Sequence, residues 1–195
     1  MKKNIGIFIF DEAEVLDFAG PFEVFSVASQ LYDHSLFEVF TVAEQPKAIT
    51  AINGLSVNPT YDFQKAPSID ILLLAGGEGT KQLLENQKVL DWIASTHTTT
   101  HYTASICSGA RMLGKLGLLD HQPYCTHHQV YEDMQRLVST GQPQKGQRFV
   151  QAGKVFTSGG ISAGIDLSFH LLALLTNKEV AEQTAQYMEY RRVLP

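Results

Sequence analysis

The feature that most limits what this chain can fold into is a pair of near-continuous apolar runs, residues 4–10 and 69–75. A strand buried on one face alternates apolar and polar side chains. A run apolar at nearly every position belongs to a strand covered on both faces, as in a parallel sheet with helices above and below. Residues 37–43 read as a further strand. Helical patterns lie between these runs. One is entered at Pro21, a residue at home in a first turn, and carries Phe22, Val24, Phe25, Val27 and Ala28. Others span 81–84 and 88–96. The alternation predicts an α/β fold with a doubly wound, mainly parallel sheet flanked by helices.

The remaining segments fit that plan. Residues 49–57 read as a hairpin turning at Asn53-Gly54, a strong turn dipeptide, and Tyr61-Asp62-Phe63 as a loop. A short strand runs up to Cys107, and Met112, Leu113 and Leu116 recur after it at helical spacing. Residues 124–128 cross from a strand toward a helix over 129–138, and 139–146 form a polar loop. A hairpin follows, with arms at 148–151 and 154–157, then helices over 162–175 and 178–190. With no internal repeat, low-complexity tract or long linker, residues 1–195 are expected to form one domain.

Composition narrows the function. Hydrophobic residues make up 44% of the 195, enough for a core, and charged residues only 18%. The net charge of −5 gives no footprint for nucleic acid or an anionic membrane. No apolar stretch reaches the length of a membrane span, and the first run is too short for a signal peptide. A cytoplasmic protein acting on a small molecule is expected. Cys107 and Cys125 are the only cysteines and form no CxxC, so neither a disulfide scaffold nor a metal site is predicted.

Four features fall just after predicted strands: Asp17, Gly76-Gly77, Cys107 and Ser158-Gly159-Gly160. Ligands of doubly wound sheets bind at that edge. Cys107, followed by small Ser108 and Gly109, has the setting of a nucleophile elbow. A helix N-terminus there favours thiolate, the reactive species. A free cysteine is as often a small buried hydrophobe. Asp17 sits in an apolar setting that raises a carboxyl pKa toward neutrality. Its other reading is a cap for the helix entered at Pro21. Gly76 and Gly77 offer backbone N–H groups for an oxyanion, with the Ser108 N–H as partner. His127 and His128 are candidates to orient the thiolate or act as base. Glu23 and Asp166 fit as helix-dipole partners, His170 as a core histidine and Cys125 as a packed thiol.

Several strings together resemble the ThiJ/PfpI superfamily, over about residues 5–189. They are Leu16-Asp17-Phe18-Ala19-Gly20-Pro21-Phe22-Glu23-Val24-Phe25, Ala75-Gly76-Gly77, Ser105-Ile106-Cys107-Ser108-Gly109-Ala110, Gly117-Leu118-Leu119-Asp120, Thr126-His127 and residues 157–166. The resemblance implies a flavodoxin-like, class I glutamine amidotransferase-like fold and a homodimer. It is strongest to the branch holding isonitrile hydratase and the ligand-binding domains of AraC-type regulators. Isonitrile hydratase adds water to an isonitrile, giving an N-substituted formamide, without metal or organic cofactor. Its nucleophile matches Cys107 and its proton donor Asp17. Its threonine after the cysteine is replaced here by Ser108, which keeps the hydroxyl and loses the methyl. Peptidases of the superfamily place histidine there, so peptidase activity is not expected. Glyoxalase-like members carry Glu where Asp17 stands and a histidine that corresponds to His127. The alternatives are hydration of small aldehydes and non-catalytic ligand or redox sensing. Because the sequence runs only to Pro195, directly after the last helix, a self-contained regulator with its own DNA-binding domain is not expected.

Overall fold

A computed structural model describes residues 2–191. β1 (Lys3–Phe8) leads through α1 (Val15–Leu31) to β2 (Phe37–Ala43). A small ladder follows, β3 (Ile49–Thr50) with β4 (Ser56–Val57), then β5 (Tyr61–Asp62) and β6 (Ile71–Leu74). Next come α2 (Thr80–Leu83), α3 (Gln87–Thr99), β7 (Tyr102–Ser105) and α4 (Ala110–Lys115). The last third holds β8 (Pro123–Tyr124), α5 (Tyr131–Leu137), β9 (Gln142–Pro143), β10 (Phe149–Ala152), β11 (Val155–Ser158), α6 (Ala163–Leu175) and α7 (Lys178–Tyr187).

Among the described residues, seven strands form the main sheet in the order β10-β11-β7-β6-β1-β2-β5. Every neighbouring pair is parallel except β10 with β11. The apolar runs occupy its centre: Ile5, Ile7 and Phe8 of β1 and all four residues of β6 are buried. From β1 the chain crosses to β2 on one side, and from β6 to β7 on the other. Right-handed crossovers in opposite directions put α1 and α3 on opposite faces. On its face α1 packs with α6 and α7, and Phe25 meets Phe37 edge to face. On the other, Trp92 of α3 stacks on Phe63, and both rings approach Phe8.

Three expectations change. Helix α1 begins at Val15, so Pro21 lies inside it and Asp17 in its first turn. The backbone sets that start. Glu14 N–H donates to Gly76 O (2.9 Å), and Ala13 bridges to Gly77, pinning the chain against the end of β6. Pro21 then only removes the helical hydrogen bond to the Asp17 carbonyl. Tyr61–Asp62, read as loop, pairs with β2 as an edge strand. The polar segment 139–146 contains β9, which runs parallel to β8. Its pairing is carried by main-chain bonds such as Gln144 N–H to Tyr124 O (2.7 Å), which leave no side-chain period to read.

The turn at Cys107 is pressed onto β6. Ile106 N–H donates to Leu74 O (2.9 Å). A Cβ at Gly109 would stand 2.5 Å from that same Leu74 oxygen and 2.9 Å from Ala75 O. Neither backbone atom is free to yield. Gly109→Ala is therefore expected to lower stability by about 2 kcal/mol or more, measured as a shift in the urea unfolding midpoint.

Candidate active site

The carboxyl ends of β1, β6, β7 and β11 converge on one cleft of about 290 Å³. Its walls include Glu14, Ile52, Gly77, Cys107, Ser108, Arg111, His127 and Ile161. Asp17 lies behind the cleft with 0% of its surface exposed.

Cys107 is the residue at the turn between β7 and α4. Its φ is +56°, in the left-handed region that non-glycine residues seldom enter. The conformation is held by its neighbours. Cys107 N–H donates to Gly159 O (3.1 Å), and Thr126 Oγ1 donates to Cys107 O (2.8 Å). The thiol is 7% exposed.

Asp17 and Cys107 confront one another at the point where glycine is obligatory. A Cβ on Gly76 would lie 2.7 Å from Asp17 Oδ2, 2.7 Å from Ser108 N and 2.8 Å from Cys107 Cβ. Any side chain there would fill the space between acid and thiol. Gly76 N–H donates to Asp17 Oδ2 (3.0 Å). Asp17 Oδ1 is buried with no hydrogen-bond partner among the described residues.

Burial pushes the Asp17 carboxyl up to about 7. The Gly76 N–H opposes that rise, and the Glu14 charge adds to it. Burial, then the Asp17 charge, pushes the Cys107 thiol up to about 12, while Ser108 and the Ile161 N–H act in the other direction. Each group thus resists ionising while the other is charged, so the two titrate as a pair. The expected preformed thiolate is corrected here. Helix α4 has only six residues and starts beyond Cys107, and its end does not offset burial beside a carboxyl. A thiolate arises when Asp17 holds the proton.

The expected oxyanion donors are also placed differently. Gly76 N–H is engaged by Asp17, and Gly77 N–H donates to Ser108 Oγ (2.8 Å). The backbone groups acting on the sulfur are those of Ser108 and Ile161. Ile161 was not legible in the sequence. It has φ +52°, costly for a β-branched residue, and is 38% exposed. His127 lines the cleft with its ring packed against His128 (4.2 Å between centroids). Burial lowers its pKa, and the Glu14 charge works against that. It makes no hydrogen bond to Cys107 among the described residues, so it does not orient the thiol. Cys125 is fully buried, 3.0 Å from Thr157 O. Asp166 is paired with the Arg148 guanidinium and accepts from the Tyr190 hydroxyl (3.0 Å), tying α6 to the β10 side of the sheet. Glu23, exposed on α1, is not on the cleft wall.

The model of the DJ-1/PfpI family matches residues 3–174. The chain belongs to that family. Among DJ-1/PfpI relatives, the isonitrile hydratase of Pseudomonas putida is 31% identical over 195 residues, covering 100% of this chain and 82% of the relative. The transcriptional regulator GbdR of Pseudomonas aeruginosa is 22% identical over 191 residues, 98% of this chain and 52% of the regulator. A ThiJ/PfpI family protein from Pseudomonas syringae has the same fold, with TM-score 0.88 and 24% identity over 100% of this chain and 78% of that one. The relatives thus include an enzyme and a regulator.

The raised Asp17 pKa has a stability consequence. Its folded value, about 7, exceeds the ordinary 3.8. The folded state therefore binds more protons between those values, and stability contributed at low pH is lost as pH rises through 7. Between pH 5 and pH 8 the protein should lose about 2–3 kcal/mol relative to Asp17→Asn. Urea unfolding of both proteins at the two pH values measures it.

Proposed function

We propose that this DJ-1/PfpI protein is a cysteine-dependent hydratase that converts an isonitrile and water to an N-substituted formamide. The observation that carries the reading is the buried Asp17–Cys107 pair. Isonitrile hydration needs a nucleophile for the terminal carbon and a proton for the same carbon. Two groups that stand together and exchange one proton supply both. Full-length similarity to an isonitrile hydratase supports the choice of substrate class.

The steps balance as follows. Asp17 takes the thiol proton, and the Cys107 sulfur forms a bond to the isonitrile carbon. Asp17 returns the proton to that carbon, giving a thioimidate. Water entering from the cleft adds its oxygen to the carbon. One of its protons goes to nitrogen and the other to Asp17. The carbon–sulfur bond breaks as the carbonyl forms, and the formamide leaves. Asp17 then restores the thiol. Glu14, three residues ahead of Asp17 on the cleft wall, raises the proton affinity of the Asp17 carboxylate through its own charge and so helps it draw the proton from the thiol. Ser108 and Ile161 favour the thiolate both at attack and at release.

The His127 ring on the cleft wall favours one second reading, hydration of a small aldehyde, in which it meets the carbonyl oxygen. Steady-state assays with cyclohexyl isocyanide and methylglyoxal separate the two. For the isonitrile, Cys107→Ala and Asp17→Asn should each lower kcat by about 10³-fold or more, the scale of losing a nucleophile or its proton partner. Undiminished formamide production in either variant rules out the mechanism.

A further inference from the structure

Behind Ser108 stands a second set of polar groups, Arg111 and Thr80, that the mechanism does not use. Arg111 lies four residues after Cys107 on α4 and is 5% exposed. Its Nη2 donates to Asp133 (2.7 Å), and its Nη1 donates to Thr80 Oγ1 (2.9 Å). Thr80 Oγ1 stands 2.7 Å from Gly77 O and 3.5 Å from Ser108 Oγ. Ser108 Oγ lies 2.8 Å from Gly77 N and 3.0 Å from Gly77 O.

Counting hydrogens fixes the directions. Guanidinium only donates, so the Thr80 oxygen accepts from Arg111 and its single hydrogen must go elsewhere. The short contact sends it to Gly77 O. Thr80 N–H also reaches Gly77 O, at 3.3 Å. A carbonyl oxygen has two lone pairs, and Thr80 supplies both. The Ser108 oxygen already accepts from Gly77 N–H. Its own hydrogen rests near Gly77 O, a group that does not need it.

We infer that Arg111 and Thr80 are positioning residues that free the Ser108 hydroxyl hydrogen to turn to the Cys107 sulfur when the thiolate forms. The turn leaves no acceptor or donor unpaired. The Gly77 N–H bond holds Ser108 Oγ in place through the turn, without the methyl that a threonine would bring. Ser108 does act on Cys107 in the direction of the thiolate. The inference rests on Cys107 being the reactive thiol, and it does not depend on which substrate is used.

The test is the rate of Cys107 alkylation by iodoacetamide against pH, read by peptide mass so that Cys125 is scored separately. Thr80→Val and Arg111→Met should each shift the profile to higher pH and slow alkylation at pH 7 by roughly tenfold, the scale of one hydrogen bond to an ion. Thr80→Ser restores the hydroxyl and should recover the parent profile. In a Ser108→Ala background, Thr80→Val and Arg111→Met should have no further effect. That last result separates the inference from general loosening of the fold, which would slow both backgrounds alike. Equal slowing in both backgrounds, or an unshifted profile in Arg111→Met, overturns it; the arginine variant decides if Thr80→Val does not fold. A parent that is alkylated as expected but hydrates no isonitrile overturns the proposed function and leaves this inference standing.

Discussion

A carboxyl group without exposed surface is hard to ionise, and the arrangement around Asp17 answers to that difficulty. Only one backbone N–H bonds it within normal geometry, its second oxygen has no partner, and a thiol faces it. A structure seeking stability alone would satisfy such a group fully or replace it. Here it is left partly unsatisfied beside a nucleophile, at the carboxyl edge of a rigid parallel sheet. Glycine at 76 keeps the gap between the two groups open. The turn at Cys107, pressed onto β6, fixes the sulfur's side of it. The sheet supplies a fixed separation, and the separation lets one proton serve two groups.

Much of this was legible in the sequence because it is written in side-chain chemistry. The central strands declared themselves by being apolar on both faces. Cys107 and Asp17 stood out as reactive types at predicted strand ends. What stayed hidden is written in the backbone. The start of α1 is set by main-chain bonds to β6, so Pro21 pointed to the wrong turn. Strand β9 pairs without any side-chain period. The oxyanion reading of Gly77 failed because a single sequence does not reveal that its N–H already serves Ser108. Ile161 acts through a backbone angle that no β-branched residue advertises. Arg111 did leave a signal. It is the one charge in the first turn of the short helix after the nucleophile, among Ala110, Met112 and Leu113.

Two of the residues at the site, Cys107 and Ile161, hold positive φ without being glycine. Such strain, on the order of 1–2 kcal/mol per residue, persists only where surroundings enforce it. The Cys107 conformation is enforced by bonds to Gly159 and Thr126. Ile161 follows the Ser158-Gly159-Gly160 turn, with its N–H brought to acid and thiol together. The two strained residues face one another, so the distortion of each delivers a group to the same few ångströms.

That meeting has a consequence for the order in which the protein acquires its properties. The bond from Cys107 N–H reaches Gly159, fifty-two residues later in the chain, counting from 107 to 159. β7 lacks one of its two neighbours until β11 arrives. During synthesis the cysteine emerges well before the segment that seals it, and it is then an ordinary thiol on an unfinished edge. Its coupling to Asp17 and the Ile161 N–H comes with the last third of the chain. The paired chemistry of acid and thiol is therefore a property of the finished molecule, acquired late.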